Sequence, residues 1–344
     1  MPGFAMWELV ALFAVASGII WWAGTVLAYT TDAIDAHVGW GEGMGGAVLL
    51  SIATNLPEVA IIAGSAYTHT MSLAVGNILG GIAIQTAVLV LLDGPGLRKN
   101  IPLMSTVRSL TIVLQGMVLV AILMVCILGA LMPRSQMFFR MTPAEIAIVI
   151  AWIGGLWLVQ QHEDRAEWRA GREAIAGTSH VAEPHTHSIR QIVLYFALAA
   201  AATLLCGAAL EFASAEIAAR MHWQGVLFGA TLLAAVTALP EVTTGLSAIK
   251  AGKFELAISD IIGGNGFLPV LFLLGTLLSG EALLPDAQGP DLYLTALGAL
   301  LTAVFCAGAV LRSKRLVLGA GIDSLLVLAL YIVGIIGLFF VKGQ

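Results

Sequence analysis

Charge is the scarcest ingredient of this chain. Asp, Glu, Lys and Arg together make up 11% of its 344 residues, against about 25% in a soluble domain. With 59% apolar residues and a mean hydropathy of +0.95, that scarcity excludes a water-soluble globule. Cysteine is nearly absent. Cys126, Cys206 and Cys306 all fall in apolar runs, none has metal-ligand spacing with another, and they read as small buried apolar residues. Signatures of intramembrane catalysis are missing too: there is no His-Glu-x-x-His, no Gly-x-Gly-Asp, and no Ser or Cys beside a His within an apolar run. Long polar stretches are absent except at 162–189. The expected partners are therefore inorganic cations and the lipid bilayer, not nucleic acid. Nothing in the sequence specifies an oligomeric state.

What the chain has in abundance is apolar runs of spanning length. Ten are expected, at roughly 6–29, 43–66, 70–92, 107–131, 143–161, 190–212, 225–249, 254–279, 290–311 and 316–340. The first lacks the basic start and small-residue cleavage site of a signal peptide, and reads as a retained helix. Ten spans place both termini on one side. Of the 16 Lys and Arg residues, 12 fall on the opposite side and 4 on the terminal side. Basic residues favour the cytoplasm, so the expectation is an integral protein of the plasma (inner) membrane, with both termini outside and the 162–189 segment cytoplasmic. That segment contains His180, His185 and His187, read as part of a solvated linker whose start forms a short amphipathic helix.

Two carboxylates interrupt the apolar runs. Glu58 lies in SIATNLPEVAIIAG and Glu241 in LAAVTALPEVTTGLSA, each within Thr-x-Leu-Pro-Glu-Val. An ionised group at membrane depth costs at least ~3 kcal/mol, so it persists only where something offsets that cost. The two acids are 183 residues apart, and the same offset aligns Gly46 with Gly229, Thr54 with Thr237, Pro57 with Pro240, Asn77 with Asp260, and the Gly80-Gly81 pair with Gly263-Gly264. The offset maps spans two and three onto spans seven and eight, so the repeat is five helices long. Five is odd, and the halves enter the membrane from opposite sides. The expected fold is thus an all-α polytopic membrane protein of ten transmembrane helices in two inverted five-helix repeats, 1–161 and 190–344, joined by the 162–189 linker. Ion sites in such folds lie near the midplane where the halves meet.

The residues around the two acids supply oxygen. Pro57 and Pro240 each lack the N–H that would bond four residues back, freeing the carbonyls of Ala53 and Val236. Thr54 and Thr237 stand one helical turn before each Glu and share its face. Asn77 and Asp260 hold equivalent places; Asp260 could bind an ion through water, relay a proton, or pair with Lys250 or Lys253. Gln85 is an amide ligand candidate whose counterpart, Leu268, cannot be one. Glycine pairs let helices approach closely. An all-oxygen set suits Ca²⁺, Na⁺, Mg²⁺ or Mn²⁺ rather than zinc or copper. Glu58 and Glu241 together neutralise one divalent ion, and two Na⁺ or protons could do the same.

These motifs resemble those of the Ca²⁺/cation antiporter superfamily, which includes the Na⁺/Ca²⁺ and H⁺/Ca²⁺ exchangers. The first α-repeat-like stretch reads IATNLPE and then GNILGGIAIQ; the second reads VTALPE and then SDIIGGNGFL. The resemblance implies two inverted five-helix halves, Ca²⁺ binding by Glu58 and Glu241, and a motif role for Thr54 and Thr237. It implies a secondary antiporter that exports Ca²⁺ in exchange for Na⁺ or H⁺ and needs no cofactor. Gly81, Gly264, Asn55, Ala238, Gln85 and Leu268 depart from the family pattern. They remove side-chain ligands of the Na⁺-coupled members and leave open another divalent cation, Mg²⁺ or Mn²⁺, coupled to H⁺. A passive cation channel and an intramembrane enzyme are the readings from other classes.

Overall fold

The computed structural model describes residues 4–38, 45–94, 101–107, 109–170 and 188–341. Its helices are α1 (Met6–Val38), α2 (Gly45–Thr54), α3 (Leu56–Thr68), α4 (Met71–Leu92), α5 (Thr111–Ala130), α6 (Pro143–Ala170), α7 (Ile189–Met221), α8 (Gly225–Phe228), α9 (Ala234–Thr237), α10 (Leu239–Lys250), α11 (Phe254–Phe267), α12 (Leu271–Ser279), α13 (Gly289–Leu311) and α14 (Ile322–Leu338). Among the described residues eight helical spans are long and apolar enough to cross a membrane, and the pair α2–α3, bent by 44°, makes a ninth if taken as one span. The tenth, α14, has 17 residues, about 25 Å of helix, somewhat short of a hydrocarbon core of about 30 Å. It starts at Ile322 rather than near 316 because Leu318 and Gly319 adopt positive φ and fold residues 316–321 into a two-stranded hairpin. The start expected to be a separate linker helix is continuous with α6, which runs to Ala170. His180, His185 and His187 lie outside the described residues.

The halves meet in exchanged pairs. In span numbers, α1 packs on α10 as α7 packs on α3; α4 packs on α8 as α11 packs on α2; α4 packs on α13 as α11 packs on α5. This is the contact pattern of a pseudo-two-fold axis. At the centre, 89% of the most apolar stretch of α4 is buried, against 28% in α1, α6 and α7, which form the rim. Helices that are apolar all round and buried all round need a core on every side, and α4 has one. The rim helices leave their apolar surface to lipid.

The 183-residue register extends further than the motifs. Gly24 and Gly207 are equivalent, and each lies against the motif proline of the other half: a Cβ at Gly24 would stand 2.8 Å from Pro240 Cα, and one at Gly207 would stand 2.6 Å from the Pro57 carbonyl oxygen. The two seams around the centre are unequal, however. Where α4 meets α8, a Cβ at Gly76, Gly80 or Gly229 would land on backbone atoms of Val226, Ala230 or Leu73. Backbone packs on backbone there. In the twin seam, Gly263 and Gly264 face the side chains of Ser51 and Asn55 instead. Beside it, Ser51, Ile52, Gln115, Trp152, Ser259 and Phe267 line a half-open, mostly apolar cavity of about 50 Å³.

Close packing of this kind leaves no slack for a methyl group. Gly80→Ala is expected to lower the melting temperature of the detergent-solubilised protein by more than ~5 °C. Gly154→Ala, at a position with open space around it, should leave it within ~1 °C. Equal shifts in the two variants, followed by thermal scanning, would contradict the backbone-on-backbone seam.

Candidate cation site

Two broken spans build the centre. The first half-helix α2 ends at Thr54, Asn55 takes φ −89° and ψ 11°, and α3 begins at Leu56. In the other half α9 ends at Thr237, Ala238 takes φ −80° and ψ 0°, and α10 begins at Leu239. Each proline falls in the first turn of the following half-helix, where its missing N–H is no loss. The loss falls on the preceding half-helix, whose Ala53 and Val236 carbonyls have no i+4 donor. Glu58 and Glu241 are thereby set in the first turns of α3 and α10, beside the carbonyl ends of α2 and α9. Ahead of α9, Gly229–Leu233 forms a π-helical turn, a local widening frequent at functional sites; α2 is an ordinary α-helix throughout.

Glu58 and Glu241 are both 0% exposed, and none of their four carboxylate oxygens has a hydrogen-bond partner. The threonines cross over. Thr237 lies beside Glu58 and Thr54 beside Glu241, so each acid is flanked by the hydroxyl of the opposite half. Each hydroxyl also has an oxygen acceptor at 3.2 Å, Asn77 Oδ1 for Thr237 and the Ser51 carbonyl for Thr54. A hydroxyl bonded that way presents its oxygen lone pairs to a cation. Asn77, wholly buried, keeps its Nδ2 without a partner.

Asp260 lies within electrostatic reach of Glu241. Its carboxylate turns to Thr244 Oγ1 at 2.7 Å and Ser51 Oγ at 3.4 Å, and Ser51 also bonds the Asp260 carbonyl at 3.0 Å. Pairing with Lys250 or Lys253 is not what the structure shows; a lysine would have to leave the helix end for a wholly buried pocket. Gln85 donates its Nε2 to Asn55 Oδ1 at 3.3 Å, Asn55 in turn bonds the Ser51 carbonyl at 2.6 Å, and the buried Gln85 Oε1 keeps no partner. The expected set therefore divides. Glu58, Glu241, Thr54, Thr237 and Asn77 converge with the Ala53 and Val236 carbonyls at the two breaks. Asp260 adjoins them, and Gln85 braces Asn55.

Three polar residues belong to this centre without having been singled out. Ser51 lies two helical turns before Glu58 and on its face. Thr244 follows Glu241 by three residues. Both were readable from spacing, but neither has an equivalent in the other half, where Ala234 and Ile61 stand, so the repeat did not mark them. Asn265 directly follows the second glycine pair, and reaches across to Thr86 Oγ1 at 3.0 Å and the Ile82 carbonyl at 3.4 Å. It ties α11 to α4 through the pseudo-axis.

A family model described as sodium/calcium exchanger protein matches residues 8–159 and 191–340. A protein named CaxA from Alkalimonas amylolytica is 28% identical over 295 residues, covering 83% of this chain and 86% of its own length. Inner membrane protein YrbG of Escherichia coli (strain K12) is 24% identical over 264 residues, covering 76% and 77%. Among solved structures, two of the sodium-calcium exchanger NCX_Mj align with TM-scores of 0.60 and 0.61 at 17% and 18% identity. They cover 97% and 95% of this chain and 100% and 97% of the other. At that identity the likeness is one of fold.

The division of the site makes a contrast testable. Asn77→Leu is expected to raise the half-saturating cation concentration at least ~10-fold, whereas Gln85→Leu should change it by less than ~3-fold. The check is cation titration of purified protein by calorimetry or of reconstituted transport.

Proposed function

The chain belongs to the sodium/calcium exchanger protein family, and from that premise we propose that it exports Ca²⁺ in exchange for Na⁺ or H⁺, by alternating access to a site between the two halves. It is an integral membrane protein and a cation antiporter. The ligands we assign are the carboxylates of Glu58 and Glu241, the oxygens of Thr54, Thr237 and Asn77, and the Ala53 and Val236 carbonyls. The single observation that carries the reading is the set of four carboxylate oxygens at zero exposure with no hydrogen-bond partner. Buried carboxylates remain unbonded only where a cation or protons take the donor's place. The oxygen-only donor set fits a hard cation.

The exchange mechanism follows from charge. With one divalent ion, or two monovalent ones, Glu58 and Glu241 are neutral as a pair, and the halves can rock past each other around them. With neither, two negative charges face each other in a dry centre. That arrangement is too costly to carry through the occluded state. Cargo and counter-ions therefore take turns on the same oxygens, and a leak without exchange is suppressed. We assign residues 1–161 and 190–344 to the two rocking repeats and 162–189 to the linker between them. The Lys and Arg distribution supports a cytoplasmic linker with both termini outside. The inner-membrane location named for the relative YrbG agrees with residence in the plasma membrane.

One observation favours proton coupling, for Ca²⁺ or for another divalent cation such as Mg²⁺ or Mn²⁺. Asp260 is a third buried acid with a hydroxyl seat of its own, Thr244 and Ser51, and Ser51 lines the cavity beside α2 and α11. A water-filled route from that cavity would bring protons to Asp260 without passing the two glutamates.

In proteoliposomes, Glu58→Gln and Glu241→Gln should each reduce ⁴⁵Ca²⁺ exchange by at least ~100-fold while the protein remains monodisperse. Wild-type exchange in either variant would remove that glutamate from the site. A panel of Ca²⁺, Mg²⁺ and Mn²⁺, with Na⁺ and pH gradients imposed separately, identifies the coupling. Uptake driven by voltage alone would make the protein a channel.

A further inference from the structure

Another acid lies buried in this protein, away from the breaks. Glu211 on α7 is 2% exposed and faces α3, where a Cβ at Gly64 would stand 3.1 Å from Glu211 Oε2. Thr68 and Thr70 each donate a hydroxyl to Glu211 Oε1 at 2.8 Å, and their own oxygens are 2.7 Å apart. Among the described residues no Lys, Arg or His pairs with this carboxylate. Three residues further along the same face of α7, the Ser214 hydroxyl is 0% exposed and has no hydrogen-bond partner. It does not even take the local carbonyl that a helical serine ordinarily bonds.

The cluster lies at the end of a helix. α3 ends at Thr68 and the chain turns back through His69 and Thr70 into α4, so these groups lie at the membrane face opposite the linker. Between them and the centre runs the α3–α7 seam. Its inner end is Gly207 against Pro57. Along the way Ser65 follows Glu58 by two helical turns on one face, about 10 Å away, and its hydroxyl is 0% exposed and also without a partner. The arrangement belongs to one face only. The 183-residue offset places Ala28 opposite Glu211, Ala251 opposite Thr68 and Lys253 opposite Thr70. The hydroxyl of Ser214 recurs as Thr31, but the acid does not recur.

We propose that Glu211, with the hydroxyls of Thr68, Thr70 and Ser214, is a second cation site, holding a hard metal cation in transit between the terminal face and Glu58. It rests on the antiporter reading for its role in transport, though not for the binding itself. One carboxylate with hydroxyl partners makes a weak site, in the ~10⁻⁴ to 10⁻³ M range of low-charge oxygen sites. Weak holding suits a stage that must release its ion inward. It concentrates cation on the terminal face and lowers the bulk concentration needed to fill the centre.

The test removes the centre first. The Glu58→Gln/Glu241→Gln double variant, purified in detergent, is titrated with Tb³⁺, with Tyr67 next to Thr68 as a built-in sensitiser. Saturable sensitised emission, displaced by about millimolar Ca²⁺, is expected, and Glu211→Gln added to the double variant should weaken it at least ~5-fold. An unchanged midpoint after Glu211→Gln, or no saturable emission in the double variant, overturns the site. In the otherwise wild-type protein, Glu211→Gln should raise the half-saturating cation concentration on the terminal face about 5-fold, with the maximal rate within about 2-fold. Unchanged half-saturation, or a loss of maximal rate alone, overturns the transit role. Should the wild-type protein exchange no cation, the Tb³⁺ titration still decides whether Glu211 binds one.

Discussion

Four carboxylate oxygens without a donor, at zero exposure, are the constraint to which the rest of this molecule is fitted. A single buried carboxylate can be accommodated by hydrogen bonds, as Glu145 is by Thr142 and Thr276. Glu58 and Glu241 have no such bonds. They face each other across the pseudo-axis, each raising the cost of charge on the other. The helix breaks then make physical sense. They bring the crossed threonines beside the acids and leave the Ala53 and Val236 carbonyls without their i+4 donors, so that the surroundings are rich in oxygen. A protein that merely needed two stable glutamates would surround them with donors.

The two-fold relation sets where things are, and the departures from it set what they can do. Gly24 and Gly207 set each half tightly against the other half's proline, one residue before each glutamate. Asn77 holds Thr237, whereas Asp260, its equivalent, is held by Thr244 and Ser51. One half thus keeps a neutral amide at its broken helix and the other a titratable acid. The glycine seam between α4 and α8 sets backbone on backbone at Gly76, Gly80 and Gly229; the seam between α2 and α11 has Ser51 and Asn55, and a cavity beside it.

Much of this was legible in the amino-acid order, for definite reasons. Thr-x-Leu-Pro-Glu-Val repeated at one offset identifies the centre because a charged residue in an apolar run is rare enough to be noticed twice. The breaks followed from proline, and the crossing of halves from an odd repeat. Other features were invisible because they carry no rare residue. The π-helical turn at 229–233 has the same hydropathy as the α-helix it interrupts. Gly24 and Gly207 were two glycines among 38 until packing showed what each touches. Ser51 and Thr244 come from different halves, and only the fold brings them to one carboxylate. Gln85 entered the ligand set by chemistry alone; that its Nε2 meets Asn55 while its Oε1 keeps no partner is fixed by which faces of α4 and α2 meet.

The unequal seams have a consequence for direction. Microscopic reversibility forbids any protein asymmetry from changing where an exchange comes to rest; the ion gradients and the stoichiometry decide that. A backbone-tight seam toward one face and a side-chain seam toward the other can still give the two opening steps different barriers. Forward and reverse exchange would then differ in speed at equal driving force, as a valve with one stiff leaf and one loose leaf passes fluid unevenly without setting the pressure. In an exchanger of this build, the glycines at 76, 80 and 229 would bear on rectification, a property of rates distinct from the equilibrium that the gradients set.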